Sequence, residues 1–276
     1  MKKYLLLLFT TLLASILIVW MTGAFLSRPA NHQVEMPGSE FIPVQYGRTQ
    51  GSLLSSGDHR QCALLLHGLN ADRSSMVERA QFLRQLGITS LAVDLQAHGE
   101  TPGHIITFGY LESEDADNGL HYLKTVQGCQ KVVVIGTSLG GASALLGQTA
   151  KQADALVLES VFPRIEDAVA DRIEARLGRP GRLLAPLLYW QIPLRTGIAI
   201  EKIRPIDALA QVTAPVLVIG GAQDTSTKPD ETRALYQAVR GPKQLWIVDG
   251  AGHIDLYRYD RPGYEHQLTT FLRQHF

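Results

Sequence analysis

The sequence is poor in cysteine: its 276 residues contain two, Cys62 and Cys129. It has neither a C-x-x-C pair nor an H-E-x-x-H motif, so we predict no metal site and no cofactor. An excess of charge of one sign is also missing, because 26 Lys and Arg balance 26 Asp and Glu. Without a basic stripe to neutralise phosphates, the sequence predicts no nucleic-acid partner.

Internal repeats and low-complexity tracts are absent too, so nothing in the sequence divides the chain into several units. The length and the hydrophobic content of 45% are ordinary for a globular protein with one α/β core. We therefore predict a single folded domain.

Long apolar runs occur only at the N-terminus, where Lys2 and Lys3 precede an uncharged, largely apolar stretch that ends at Leu26. A membrane-spanning helix needs about 20 apolar residues, whereas the apolar region of a signal peptide has about 7–15. We therefore predict that residues 1–26 form a membrane anchor; the alternative is a signal peptide cleaved near Ala24. The lysines favour the cytoplasmic side, so the domain is expected on the periplasmic or extracellular side, or secreted after cleavage.

The rest of the chain is predicted to be a tether, residues 27–43, followed by a domain over residues 44–276. The tether is rich in Pro, Asn, Gln and Gly and has little periodicity. In the domain, short apolar runs alternate with helical patterns, and the runs lack the period-2 alternation of half-exposed strands. This pattern predicts an α/β fold with a mostly parallel central sheet and helices on both faces. The predicted strands are Ala63 to Leu66, Ser90 to Val93, Val132 to Ile135, Ala155 to Leu158, Val216 to Ile219 and Leu245 to Val248.

One interval between strands, residues 162–205, is far longer than a single crossover helix requires. Its first half has a charged helical pattern, and its second half contains the apolar run Leu183 to Trp190, which Pro186 interrupts. We predict a helical cap inserted above the active edge of the sheet, where an apolar segment could cover a hydrophobic pocket.

Cys62 and Cys129 each lie just before a predicted strand. If those two strands are parallel neighbours, both thiols lie at the same edge of the sheet, and an oxidising compartment would permit a disulfide. The alternative is two unrelated buried thiols, because the sequence does not give the separation of their Cα atoms.

The strongest catalytic signal is Gly136-Thr-Ser138-Leu-Gly140, which follows an apolar strand and precedes a stretch of small residues. A sharp strand-to-helix turn of this composition is a nucleophile elbow and exposes a hydroxyl at the top of the sheet. Ser138 is therefore the predicted nucleophile.

An activated serine needs a general base and an acid that orients the base. Asp224 and His253 each lie in a loop that follows a predicted strand, which gives the chain order Ser, Asp, His. We predict His253 as the base and Asp224 as the acid. Glu159, after another strand, is a competing acid, and Asp255 is interpreted as structural.

With these residues the chain resembles the serine hydrolases of the α/β-hydrolase superfamily, of the esterase and lipase kind, over residues 44–276. The resemblance includes His67-Gly68 after a strand, with His67 interpreted as an orienting residue, and the stretch from Asp94 to Thr101, similar to the family's D-x-x-G-x-G-x-S. Ala97 and Thr101 depart from that pattern, at positions that shape the loop.

The resemblance implies that the backbone N–H groups of Leu69 and Leu139 form the oxyanion hole. It also implies hydrolysis of a small-molecule carboxylic ester or acyl substrate through an acyl-enzyme on Ser138. Two alternatives stay open: an amide, peptide or thioester hydrolase with the same mechanism, or a membrane-tethered binding protein that keeps the fold without turnover.

Overall fold

The computed structural model describes residues 2–276, in which an N-terminal helix precedes an α/β domain. The strands are β1 (Ala30–Asn31), β2 (Phe41–Tyr46), β3 (Thr49–Leu54), β4 (Gln61–Leu66), β5 (Thr89–Val93), β6 (His98–Gly99), β7 (Lys131–Thr137), β8 (Ala155–Glu159), β9 (Val216–Gly221) and β10 (Lys243–Val248). The α-helices are α1 (Lys2–Leu26), α2 (Val77–Gln85), α3 (Ser113–Thr125), α4 (Leu139–Leu146), α5 (Thr149–Gln152), α6 (Ile165–Leu177), α7 (Ala185–Tyr189), α8 (Gln191–Thr196), α9 (Pro205–Leu209), α10 (Pro229–Ala238), α11 (Leu256–Tyr259) and α12 (Arg261–His275). Three 3₁₀-helices complete the set: Arg73–Met76, Arg179–Leu184 and Ile200–Lys202.

Eight strands form one sheet in the order β10-β9-β8-β7-β4-β5-β3-β2. The pairs from β10 to β5 are all parallel, while β2 and β3 form an antiparallel hairpin at one edge. The six predicted strands are the six parallel ones, and the α/β fold with a mostly parallel sheet is confirmed.

The parallel strands bury both faces. Along β4, Leu64 and Leu66 belong to a core shared with α3 and α4, whereas Ala63 and Leu65 belong to a second core shared with α2 and α12. All five side chains from Cys62 to Leu66 are fully buried, which explains why the strand reads as a continuous apolar run.

The edge hairpin of β2 and β3 is absent from the predicted strands. Its outer strand β2 is mostly exposed or half-buried and contains Pro43, a residue tolerated on an edge strand. The strand begins at Phe41, three residues before the predicted start of the domain.

Residues 27–40, predicted as part of a tether, follow the surface of the domain. β1 pairs in parallel with β6, and Asn31 Nδ2 donates to the carbonyl oxygens of Gly99 and Thr101 at 3.2 and 2.7 Å. His32 Nε2 lies 2.9 Å from Asp72 Oδ2. These contacts attach the segment to the loops at the carboxyl edge of the sheet.

Helix α1 is the one helix within residues 2–276 that is long and apolar enough to cross a membrane, with a mean hydropathy of 2.4 over its most apolar window. None of that window is buried against the rest of the chain.

Cys62 and Cys129 are joined by a disulfide, and their Cα atoms are 6.0 Å apart. Cys62 lies in β4 and Cys129 lies two residues before β7, and these strands are parallel neighbours. The disulfide therefore lies at the amino edge of the sheet, opposite the turn that carries Ser138.

Candidate active site

Ser138 occupies the turn between β7 and α4 with φ 49° and ψ −108°, a conformation that L-residues rarely adopt. Its backbone N–H donates to the carbonyl oxygen of Glu159 at 2.7 Å, which fixes the turn to β8. A Cβ atom at Gly136 would lie 2.6 Å from Gly141 Cα, and one at Gly140 would meet the Leu66 carbonyl. Glycine at both positions is therefore required for this close approach of strand and helix.

Asp224 and His253 meet at the carboxyl edge, two and three strands away from β7. His253 Nδ1 lies 2.8 Å from Asp224 Oδ2. A carboxylate only accepts hydrogen bonds, so Nδ1 carries the proton and Nε2 is left as the basic nitrogen. The loops that bear the two residues are tied together, because the Gln223 N–H donates to the Ala251 carbonyl at 2.8 Å.

The remaining oxygen of Asp224 is also satisfied. Asp224 Oδ1 accepts the backbone N–H groups of Ser226 and Thr227, each at 2.8 Å. Burial acts to raise the pKa of Asp224, but the hydrogen bonds from His253 and these N–H groups outweigh it and hold the pKa below its usual range. Asp224 is therefore ionised near neutral pH and can stabilise a protonated His253.

The backbone N–H groups of Leu69 and Leu139 donate no hydrogen bond to any group within the described residues 2–276. Leu139 begins α4, where the first N–H groups of a helix have no partner inside the helix. Gly68 brings the other loop close, since a Cβ atom there would lie 3.9 Å from Ser138 Cβ. Neither N–H group is therefore engaged within residues 2–276, and each belongs to a segment that adjoins Ser138.

His67 orients this second loop. Its Nδ1 lies 2.7 Å from the Gly68 carbonyl oxygen, and its Nε2 accepts the Leu95 N–H at 3.1 Å. Complete burial, with a contribution from nearby His98, lowers the pKa of His67 to about 3. With both ring nitrogens engaged and the ring neutral, His67 is not available as a general base.

Ser138 and His253 are not hydrogen-bonded to each other. Within residues 2–276 no hydrogen bond joins the Ser138 hydroxyl to His253. Ser138 is buried, with 6% of its surface exposed. The His253 side chain is 28% exposed. Catalytic hydrogen bonds are often long before substrate binds, so this geometry is compatible with a base that closes on Ser138 in the complex.

Glu159, the competing acid, is engaged elsewhere. Its carboxylate accepts from Arg79 at 2.7 and 3.2 Å, from the Tyr264 hydroxyl and from the Thr137 hydroxyl at 3.1 Å. Asp255, which was interpreted as structural, binds Arg79 at 2.8 Å. This buried cluster joins the turn of Ser138 to the loop of His253, because Glu159 neighbours the first and Asp255 follows the second.

Sequence reasoning missed Arg79. Its signal was an arginine on the apolar face of the helical pattern, three residues after Met76 and next to Ala80. A charge at such a position is buried only when it is paired, so it indicates an internal carboxylate partner.

The interval 162–205 forms α6, α7, α8 and two 3₁₀-helices between β8 and α9. An apolar crevice lies where α8 meets the end of α1, lined among others by Gly23, Phe108 and Ile192, and Ser138 does not line it. Within residues 2–276 no group of three or more His, Cys, Asp or Glu side chains is arranged to hold a metal ion.

Comparison with known proteins identifies the family of the chain. Residues 63–265 match the profile described as the Alpha/beta hydrolase family. The protein YqkD of Bacillus subtilis is 25% identical over 236 residues, which cover 84% of this chain and 77% of that protein. The protein Rv2307c of Mycobacterium tuberculosis is 29% identical over 203 residues, which cover 73% of this chain and 66% of that protein.

Solved structures share the fold at lower sequence identity. The esterase Pf2001 of Pyrococcus furiosus superposes with a TM-score of 0.71 at 20% identity, covering 90% of this chain and 98% of that one. Est1E of Butyrivibrio proteoclasticus, solved with ferulic acid bound, gives a TM-score of 0.64 at 16% identity, covering 85% and 98%.

Proposed function

Because the chain belongs to the alpha/beta hydrolase family, we propose that it is a serine hydrolase that cleaves carboxylic esters through an acyl-enzyme on Ser138. The observation that carries the proposal is the hydrogen bond of 2.8 Å between His253 and Asp224, at the sheet edge where Ser138 stands in a strained turn. The likeness in fold to esterases such as Pf2001 favours an ester over an amide or thioester.

In the first half of the reaction, the Ser138 hydroxyl attacks the acyl carbonyl carbon and its proton passes to Nε2 of His253. The carbonyl oxygen becomes an oxyanion, which the N–H groups of Leu69 and Leu139 stabilise. When this intermediate collapses, the bond to the alkoxide breaks and His253 returns the proton to the leaving alcohol. The acyl group is then bonded to Ser138.

In the second half, water attacks the acyl-enzyme and His253 accepts the proton of the water. The second oxyanion collapses, the acid leaves, and His253 gives the proton back to Ser138. Asp224 keeps the ring in the tautomer that both halves require and stabilises the imidazolium.

The proposed location is a membrane. Helix α1 has 25 residues, enough for about 37 Å at about 1.5 Å per residue, and it begins after Met1 with two lysines. We propose that it anchors the chain with Lys2 and Lys3 on the cytoplasmic side and the domain on the other side. The disulfide between Cys62 and Cys129 is compatible with an oxidising compartment.

The test uses the full chain in detergent micelles with short p-nitrophenyl esters and a fluorophosphonate probe. Ser138→Ala is expected to abolish probe labelling and to lower hydrolysis by about 10³-fold or more, because the nucleophile is removed. The matched control is Ser143→Ala: Ser143 is buried one turn along α4 and donates to the Leu139 carbonyl at 2.7 Å. Unchanged hydrolysis in Ser138→Ala would contradict the mechanism, and failure of the folded wild type to label would favour a binding protein.

A further inference from the structure

The exposed apolar side chains of the domain are concentrated in the inserted segment. Outside α1, twelve large apolar side chains are exposed within residues 27–276, and six of them lie within residues 177–194. The other six are spread singly over the domain, as on most proteins. We call Leu183, Leu184, Leu187, Trp190 and Leu194 the cap surface; Leu183 is 83% exposed, Leu194 77% and Trp190 61%.

The inserted segment is attached to the N-terminal helix, because α7 packs against α1 and α8 is hydrogen-bonded to it. Gln191 Nε2 donates to the Val19 carbonyl at 3.0 Å, and Arg195 donates to the Trp20 carbonyl. The Arg195 guanidinium also lies 3.9 Å from the centroid of the Trp20 ring. These contacts fix the height of the cap along α1.

The position at which α8 binds α1 lies within the thickness of a bilayer. The sixteen residues from Tyr4 to Val19 span about 24 Å at about 1.5 Å per residue, whereas the hydrocarbon core is about 30 Å thick. If α1 crosses the membrane from its lysines, the hydrocarbon therefore extends beyond the level at which α8 binds α1. The cap surface then lies at the boundary between acyl chains and headgroups.

The charges around the cap surface fit the same environment. The stretch 175–200 contains four arginines. Arg182 pairs with Asp171 and Glu174, and Arg195 binds α1, whereas Arg176 and Arg179 have no carboxylate partner within residues 2–276. Arginines around an apolar surface favour anionic lipid headgroups, and an exposed tryptophan such as Trp190 prefers the membrane interface.

We infer that the cap surface binds the lipid bilayer beside α1, so that anchor and cap form one membrane-facing side of the protein. The inference rests on the proposed membrane anchoring and not on the proposed ester chemistry. A hydrolase held in this way is directed toward substrates that partition into the bilayer surface.

Depth-dependent fluorescence quenching tests the inference in the full chain, reconstituted into phosphatidylcholine and phosphatidylglycerol vesicles with brominated acyl chains. Trp20→Phe with Trp246→Phe leaves Trp190 as the single tryptophan. Its emission is expected to fall by about half or more, because the ring would lie within about 5–10 Å of the boundary between headgroups and acyl chains. The matched control, Trp20→Phe with Trp190→Phe, leaves Trp246 in β10 against Tyr264, and is expected to show no quenching.

A third variant, Trp190→Phe with Trp246→Phe, leaves Trp20 as the single tryptophan. It separates the membrane-anchor proposal from the inference about the cap surface. Quenching of Trp20 without quenching of Trp190 would overturn the cap inference and leave the anchor intact. If neither tryptophan is quenched, the anchoring proposal and the inference both fail. The p-nitrophenyl ester assay tests the proposed hydrolysis separately from this result. If cross-linking joins two copies of the chain at the cap surface and lipid does not quench Trp190, the surface binds a second copy and the inference is overturned.

A charge on the cap surface gives a second test in the Trp190 chain. Leu183→Asp with Leu194→Asp is expected to reduce Trp190 quenching about two-fold or more, because charged carboxylates stay in water and are excluded from the acyl layer. Hydrolysis of water-soluble p-nitrophenyl acetate should be unchanged. Undiminished quenching in this variant would contradict the inference.

Discussion

The ends of the adjacent strands β8 and β9 both lead to a buried carboxylate, yet the two carboxylates have different partners. Glu159, the last residue of β8, is bound by Arg79 and Tyr264. Asp224, three residues after β9, is bound by His253 and by backbone N–H groups. A strand end therefore offers a place for a catalytic acid, and the partner that the fold brings to it decides its role.

The largest expected effect is on the rate of ester hydrolysis, which should depend on Asp224 far more than on Glu159. Asp224→Asn is expected to lower ester hydrolysis by about 10³–10⁴-fold, because the amide can donate to His253 Nδ1 and favours the wrong tautomer. Folding should change little, since Asn keeps an oxygen for the N–H groups of Ser226 and Thr227. Initial rates are measured in micelles, per mole of protein that folds by circular dichroism.

Glu159→Gln is the matched control for this comparison. Its hydrolysis per folded molecule should stay within about tenfold of wild type, because Glu159 does not contact His253. A loss of about 10³-fold in Glu159→Gln together with a small loss in Asp224→Asn would reverse the assignment of the two acids.

The second prediction concerns stability, where the order of the two acids is expected to invert. Glu159→Gln should lower the free energy of unfolding by about 3–5 kcal/mol, because it leaves the buried charge of Arg79 with Asp255 as its remaining partner. Denaturant midpoints in micelles measure the loss. Replacing both partners, Arg79→Met with Glu159→Met, is expected to recover part of it, whereas a double variant less stable than Glu159→Gln would contradict the charge argument.

A smaller effect is expected from the hydroxyl that completes the Glu159 cluster. Tyr264→Phe removes the hydrogen bond to Glu159 and should lower the free energy of unfolding by about 1–3 kcal/mol, because a buried carboxylate loses a donor. Tyr257→Phe is the control, since the Tyr257 hydroxyl binds Glu265 at 2.7 Å at a partly exposed site. It should cost about 0.5–1.5 kcal/mol; an equal or larger loss than for Tyr264→Phe would show that burial does not set the cost.

Much of the fold could be predicted from the sequence because both faces of the parallel strands are buried. Such strands appear in the sequence as apolar runs. The turn after one of them, β7, carries Gly136, Ser138 and Gly140 in the G-x-S-x-G order of a nucleophile elbow. The roles of Asp224 and His253 remain predictions, although the structure brings them within hydrogen-bond distance.

Other features depend on contacts between distant segments, and short-range patterns do not report them. The pairing of Arg79 with Glu159 joins residues 80 positions apart. Residues 30 and 31 look like tether until β6 supplies the backbone partners that make them a strand. The break between α4 and α5 is stabilised by Asp117, whose carboxylate accepts the Gln148 and Thr149 N–H groups.

A third acid, Glu231, sharpens the comparison because its neighbour is another carboxylate. Glu231 lies in α10, close to Asp171 of α6, and burial followed by the influence of Asp171 raises its pKa to about 8. Asp171 is buried and binds Lys228 at 2.9 Å, but its Oδ2 has no hydrogen-bond partner within residues 2–276. A protonated Glu231 can supply the missing donor, which gives the raised pKa a structural reason.

The smallest expected effect follows from this proton. Between pH 4.5, the ordinary pKa of a glutamate, and about 8, the unfolded chain has lost the Glu231 proton while the folded chain keeps it, so stability falls as pH rises through that window. Glu231→Gln, which retains a donor for Asp171, should unfold like wild type near pH 4.5 and be the more stable protein near pH 8. Denaturant midpoints across the window measure the difference in stability between the variant and wild type.

Glu265→Gln is the control of opposite sign. Burial acts to raise the pKa of Glu265, but the hydrogen bonds from Tyr257 and Arg261 outweigh it and lower the pKa. That variant should therefore be less stable than wild type at neutral pH and match it in acid. A difference for Glu231→Gln that does not change with pH would show that Glu231 keeps no proton in the folded protein.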